Sequence, residues 1–139
     1  MLWLAFDCGS RRVGVALGSA LSGARPLAVL DARPEERLYA GVGTLIRQWA
    51  PTQLLVGLPL TLDDQSQPMT VRARLFMDEL RTRFGLPVHE HDERYSSKRA
   101  GRQFADLRAR GLKKKKDAEL LDAMAAAVIL EDYLASNGG

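Results

Sequence analysis

A chain of 139 residues can bury a continuous core without disulfides or a structural metal, and it is too short for two lobes closing over a nucleotide. Hydrophobic residues at 46% and charged residues at 27% exclude a disordered or fibrous chain, and no apolar run reaches the roughly 20 residues that span a bilayer. The net charge of +3 conceals an asymmetry, because residues 94–116 hold ten cations against Asp106 alone, a local +9, while the remainder stands at −6.

Residues 2–7, LWLAFD, alternate with period two and predict a strand ending in Asp7, followed by a turn at Gly9 and Ser10. The segment from Arg12 to Ser19 predicts its hairpin partner, and Arg25 to Asp31 a third antiparallel strand after a turn at Gly23. Pro34 and Glu35 open a helix in which Leu38, Val42, Leu45, Ile46 and Trp49 recur at helical spacing, and Pro51 ends it. LLVGLPL then predicts a short strand buried on both faces and parallel to the first. A polar loop over 61–68 leads to a helix over 69–83, with Val71, Leu75, Phe76 and Leu80 expected inward and Gly85 closing it. PVHEHDE predicts a fifth strand ending in Asp92 and Glu93. Ser96 or Ser97 caps a helix to about Ala109, and a last helix spans about Asp117 to Leu134. The expected fold is α/β, one domain over residues 1–139, with a mixed five-stranded sheet and about four helices.

The chemistry rests on acids from three separate segments. Asp7 ends the first strand, where it could also be a simple turn former. Asp92 and Glu93 end the fifth strand, at the sheet edge where α/β folds bind ligands, although solvation and capping would account for them too. Asp122 has Ala118, Glu119, Ala125 and Ala126 at helical neighbour positions, small residues that allow close packing on a sheet. A carboxylate packed there needs a cation, a metal or a proton, unless the helix turns it toward water. Carboxylates converging from distant segments match a site for Mg²⁺ or Mn²⁺, in which two ions roughly 4 Å apart activate water for phosphodiester displacement. His89 and His91, with no cysteine partners, are expected to be structural, or in His91's case to support a metal ligand. The basic stripe suits phosphate binding, and a solvated helix end rich in lysine would produce the same count. Lone Cys8 is expected to fill core and agrees with a reducing compartment. With Asp7 arriving before a signal-peptide core could form, the expected location is the cytoplasm, with no membrane partner.

Four ordered stretches covering nearly the whole chain resemble the YqgF/RuvX family of Holliday-junction resolvases: AFDCGSRRVGVALG, LLVGLPLTLDDQSQP, VHEHDERYSS and LLDAMAAAVILEDYL. The resemblance implies a ribonuclease-H-like fold, divalent-metal chemistry on branched DNA and, in some bacterial members, trimming of the 5′ end of precursor 16S ribosomal RNA. It places the family's acidic positions on Asp7, on the Asp92–Glu93 pair beside Arg94, and on Asp122. Ser10 stands where Thr is common and keeps the hydroxyl. Asp64, where Gly often follows the acid at 63, makes that loop stiffer and more acidic.

The resulting expectation is a metal-dependent nuclease of Holliday-junction-resolvase type, with processing of structured precursor rRNA as the alternative. Asp7, Glu93 and Asp122 hold the ions. Glu93 is favoured over Asp92 because adjacent strand residues face opposite ways, leaving Asp92 to orient Arg94 or the metal's outer ligands. Ser10, Arg12, Arg94, Lys98, Arg99, Arg102, Lys113, Lys114, Lys115 and Lys116 position phosphates. A homodimer would suit a resolvase that cuts two symmetric strands. A non-catalytic nucleic-acid-binding module is a further alternative, against which the full set of acids argues. The opening DCGSRRVGVA would also fit the phosphate loop of an actin-like or sugar-kinase-like ATPase, which the chain length disfavours.

Overall fold

The computed structural model describes residues 1–9, 11–58, 68–92 and 115–137, except for the side chains at 68, 69, 92, 115–118 and 137. Strands β1 (Trp3–Cys8), β2 (Arg12–Ser19) and β3 (Gly23–Asp31) form an antiparallel meander. After helix α1 (Glu35–Trp49), strand β4 (Gln53–Leu58) returns parallel to β1; after helix α2 (Pro68–Phe84), strand β5 (Val88–Asp92) lies parallel to β4. The sheet order is β3-β2-β1-β4-β5, and helix α3 (Lys115–Asn137) completes the described elements. The mixed five-stranded α/β architecture is the expected one. Three helices fall among the described residues, and the helix expected to about Ala109 lies outside them.

β1 is central, and its alternation assigns its two faces. Leu4 and Phe6 join Val13, Val15, Leu54 and Val56 in the core beneath α1 and α2, whereas Trp3 and Ala5 join Ala16 and Leu55 beneath Ala126, Ala127, Ile129 and Leu130 of α3. Among the larger residues of the second face, Ala5 and Ala16 on the sheet and Ala126 and Ala127 on the helix are small, which lets α3 approach the sheet closely. α1 ends at Ala50, whose left-handed φ of 49° lets its N–H donate to the Ile46 carbonyl at 2.8 Å. Gly85, at φ 67°, closes α2 in the expected place.

One expectation about α2 is corrected. Phe76 and Leu80 are buried, but Val71 and Leu75 are 52% and 60% exposed, and Thr70, Ala73 and Met77 face inward in their place. Phe76 sets this rotation: it meets Phe6 edge-on at 5.4 Å and stacks on Tyr39 at 5.9 Å, so the buried stripe runs 70, 73, 76–77, 80. Among the described residues no helix is long and apolar enough to cross a membrane.

Candidate functional site

The parallel strands β1, β4 and β5 end along one edge of the sheet, with Asp7 at the end of the central strand and Asp92 pairing with Leu58 in the backbone ladder of β5. Asp7 follows Trp3 and Ala5 on the face covered by α3. Its antiparallel ladder partner is Gly14, and a neighbour so paired lies about 5 Å away between Cα atoms. A Cβ built on Gly14 would stand 2.0 Å from the Asp122 carbonyl oxygen and 3.0 Å from the Ala123 nitrogen, so the α3 backbone rests directly on the Gly14 Cα. Gly14 thus joins Asp7 across the ladder to Asp122 across the sheet-helix interface. Two of the acids predicted from separate segments stand over one patch of sheet.

Asp122 carries a cation. The Arg12 Nε donates to its Oδ2 at 2.6 Å, with the two side chains 30% and 34% exposed. A charge-assisted bond of this length between largely covered groups provides the partner that a carboxylate packed on a sheet requires. Arg12, expected on phosphates, is therefore engaged with an acid of the same cluster. Its backbone is held as well, since the Gly9 N–H donates to the Arg12 carbonyl at 2.8 Å across the β1–β2 turn.

The remaining predicted residues divide by position. Glu93, Ser10, Arg94, Lys98, Arg99, Arg102, Lys113 and Lys114 lie outside the described residues, while Asp92, Lys115 and Lys116 are described in their backbone only. His89 Nε2 and Gln53 Oε1 hydrogen-bond at 2.7 Å, and the His89 ring packs 5.1 Å from Trp3. His91 meets Tyr133 edge-on at 5.9 Å. The two histidines thus share the α3 face and tie β5 to that helix. Cys8 points the other way and packs against the α1/α2 core.

Among the described residues no group of three or more His, Cys, Asp and Glu could hold a metal ion. Asp7 and Asp122, the two acids that Gly14 connects, offer hard oxygen donors, and the Arg12 guanidinium already meets the demand for positive charge at Asp122. This chemistry fits Mg²⁺ or Mn²⁺ and does not suggest a soft metal. A cavity of about 330 Å³ lies on the opposite face, lined by Cys8, Gly9, Tyr39, Arg72, Phe76 and Arg83 among others, and Asp7, Arg12 and Asp122 are not part of its wall. Inside it, burial first and then the charges of Glu79 and Glu35 push the Tyr39 hydroxyl up to about 12, against the Arg83 guanidinium that lies 4.3 Å from its ring. Asp7 and Asp122 lie on the other side of the sheet, beneath α3.

Sequence reasoning missed the part played by Gly14. The available signal was a glycine inside a strand pattern, VGV, which commonly marks a close backbone approach.

A five-stranded sheet in this order, antiparallel over β1 to β3 and parallel over β1, β4 and β5, with a helix laid across its second face, has the ribonuclease-H-like fold. *Thermus thermophilus* RuvC in complex with a Holliday junction substrate has the same fold, with a TM-score of 0.60 at 18% identity over 99% of this chain and 97% of that one. The fowlpox virus Holliday junction resolvase superimposes with a TM-score of 0.54 at 13% identity over 98% and 99%. The chain belongs to the RuvX family, described as Holliday junction resolvase, whose profile matches residues 1–136. Relatives named "Putative pre-16S rRNA nuclease" are 52% identical in *Xanthomonas axonopodis* pv. citri (strain 306) and 49% identical in *Xanthomonas campestris* pv. campestris (strain B100). Each aligns over 134 residues, 96% of this chain and 86% of the relative.

Proposed function

We propose that this chain is a divalent-metal-dependent endonuclease, a single domain over residues 1–139 acting in the cytoplasm on structured nucleic acid. The observation that carries the reading is Gly14, which is the ladder partner of Asp7 and lies directly under the Asp122 backbone, at the end of the sheet where β5 also ends. Asp7, Asp122 and Glu93 would hold Mg²⁺ or Mn²⁺. Held there, a divalent ion would supply Lewis-acid chemistry for phosphodiester hydrolysis. The chain itself would supply the carboxylates, a floor of small residues at Ala5, Gly14 and Ala16 beneath them, and cations for the polymer. Arg94, Lys98, Arg99, Arg102 and Lys113 to Lys116 are suited to the phosphate backbone, a contact that confers affinity without sequence preference.

The names of relatives at about half identity favour precursor 16S rRNA as the substrate. The family's description favours four-way DNA junctions as the second reading. The deciding experiment is digestion of both labelled substrates with Mg²⁺, Mn²⁺ or chelator, comparing the wild type with Asp7→Asn and Asp122→Asn. Metal-dependent cutting lost in both variants, with binding retained, is expected. Binding without cutting of either polymer under every condition would establish a non-catalytic module instead.

A further inference from the structure

Arg12 and Asp122 come from positions 110 residues apart and meet between two held backbones. On one side the Gly9 N–H clamps the Arg12 carbonyl; on the other, Gly14 lies under the Asp122 carbonyl two residues along the same strand and on the same face. The pair is therefore set by the docking of α3 on β2, with about a third of each side chain left exposed. The carboxylate oxygen that Arg12 takes is one that a hard cation would need, and the guanidinium charge repels a second cation at that point. Yet Arg12 approaches laterally, through Nε. A planar guanidinium fork is also matched to phosphate oxygens, so a phosphodiester entering beside β2 offers it a competing partner.

We propose that Arg12 is the resident counter-ion of Asp122 and a switch between that carboxylate and a substrate phosphate. Without nucleic acid, Arg12 holds Asp122 Oδ2 and lowers the affinity of the site for a divalent cation; with a phosphodiester bound, it swings to the phosphate and leaves Asp122 to the cation. The proposal rests on reading Asp7 and Asp122 as the carboxylates that hold the ion. It makes Arg12 a positioning residue with a thermodynamic signature. Nucleic acid raises the affinity for the cation, and by linkage the cation raises the affinity for nucleic acid by the same factor.

The test is calorimetric titration of the full chain with Ca²⁺, a hard oxygen-seeking cation. Wild type, Arg12→Gln, Arg12→Lys and Asp122→Asn are compared with and without the precursor rRNA fragment, whose integrity is checked on a gel. Removing one charge-assisted hydrogen bond to Asp122 is expected to tighten Ca²⁺ binding by about tenfold in Arg12→Gln without RNA, and to abolish the RNA-dependent tightening seen in the wild type. Equal or weaker Ca²⁺ binding by Arg12→Gln would overturn the proposal. If Asp122→Asn still lost the ion in that case, the metal reading would stand and only the switch would fall. Absence of Ca²⁺ binding to every protein, with or without RNA, would remove both. Should circular dichroism show Arg12→Gln unfolded, Arg12→Met, which keeps the aliphatic stem and removes the charge, replaces it, with tighter binding expected and unchanged affinity overturning the switch. Arg12→Lys, which keeps the charge, is expected not to tighten Ca²⁺ binding, and tightening as large as that of the neutral variant would overturn the switch.

Discussion

Replacing Gly14 by alanine tests whether one backbone contact sets the spacing of the two acids. The added Cβ would lie 2.0 Å from the Asp122 carbonyl oxygen and 2.4 Å from its carbon, both main-chain atoms that cannot rotate aside. Either α3 retreats by roughly an ångström or β2 bows away from it. Overpacking of this kind costs about 1–3 kcal/mol, which corresponds to a fall of roughly 4–12 °C in melting temperature for a domain of this size. A misplacement of about 1 Å in a catalytic constellation costs on the order of 10²-fold in rate. Gly18→Ala is the matched control. Its Cβ would stand 2.3 Å from the Gly23 carbonyl oxygen, but Gly18 pairs with Trp3, at the end of β1 away from Asp7. Both variants are expected to melt earlier, and only Gly14→Ala to lose cleavage when both are assayed well below their melting temperatures. Wild-type cleavage by Gly14→Ala, or equal losses in the two variants, would refute the claim that this contact aligns the site.

The corrected rotation of α2 predicts that Leu80→Ala lowers unfolding stability by about 2–5 kcal/mol in urea, because its side chain is fully buried. Val71→Ser, on the exposed side, should stay within about 0.5 kcal/mol of wild type. Tyr39 keeps its proton in the folded chain up to about pH 12, above its ordinary value of 10.0, so its contribution to stability is complete below pH 10 and is lost as the pH rises through 12. Tyr39→Phe should remove that part of the alkaline loss in pH-dependent denaturation, and an unchanged alkaline limb would count against the burial argument. Neutralising Lys113 to Lys116 should weaken nucleic-acid binding and flatten its dependence on salt, measured by fluorescence anisotropy across a salt series; an unchanged slope would remove the lysines from the interface.

The sheet was legible because its evidence is local. Period-two alternation in LWLAFD, the glycine turns at 9 and 23, and the apolar run LLVGL each report on residues adjacent in the chain, and the strands form where those patterns place them. α2 was legible as a helix but not in its rotation. Val71 and Leu75 are as apolar as the residues that are buried, and the choice was made by Phe76 fitting between Phe6 and Tyr39, which are far away in sequence.

The site divides in the same way. The residue types at positions 7, 92–93 and 122, together with the cationic stretch, are properties of the sequence itself, and they sufficed to point to phosphodiester chemistry. Nothing local could show that Asp122 rests on the ladder partner of Asp7, or that Arg12 would turn to Asp122. Those facts depend on how closely α3 approaches β2. That distance is decided by Ala5, Gly14 and Ala16 on the sheet meeting Ala123, Ala126 and Ala127 on the helix, a fit of small side chains that exists only once the two surfaces are packed together.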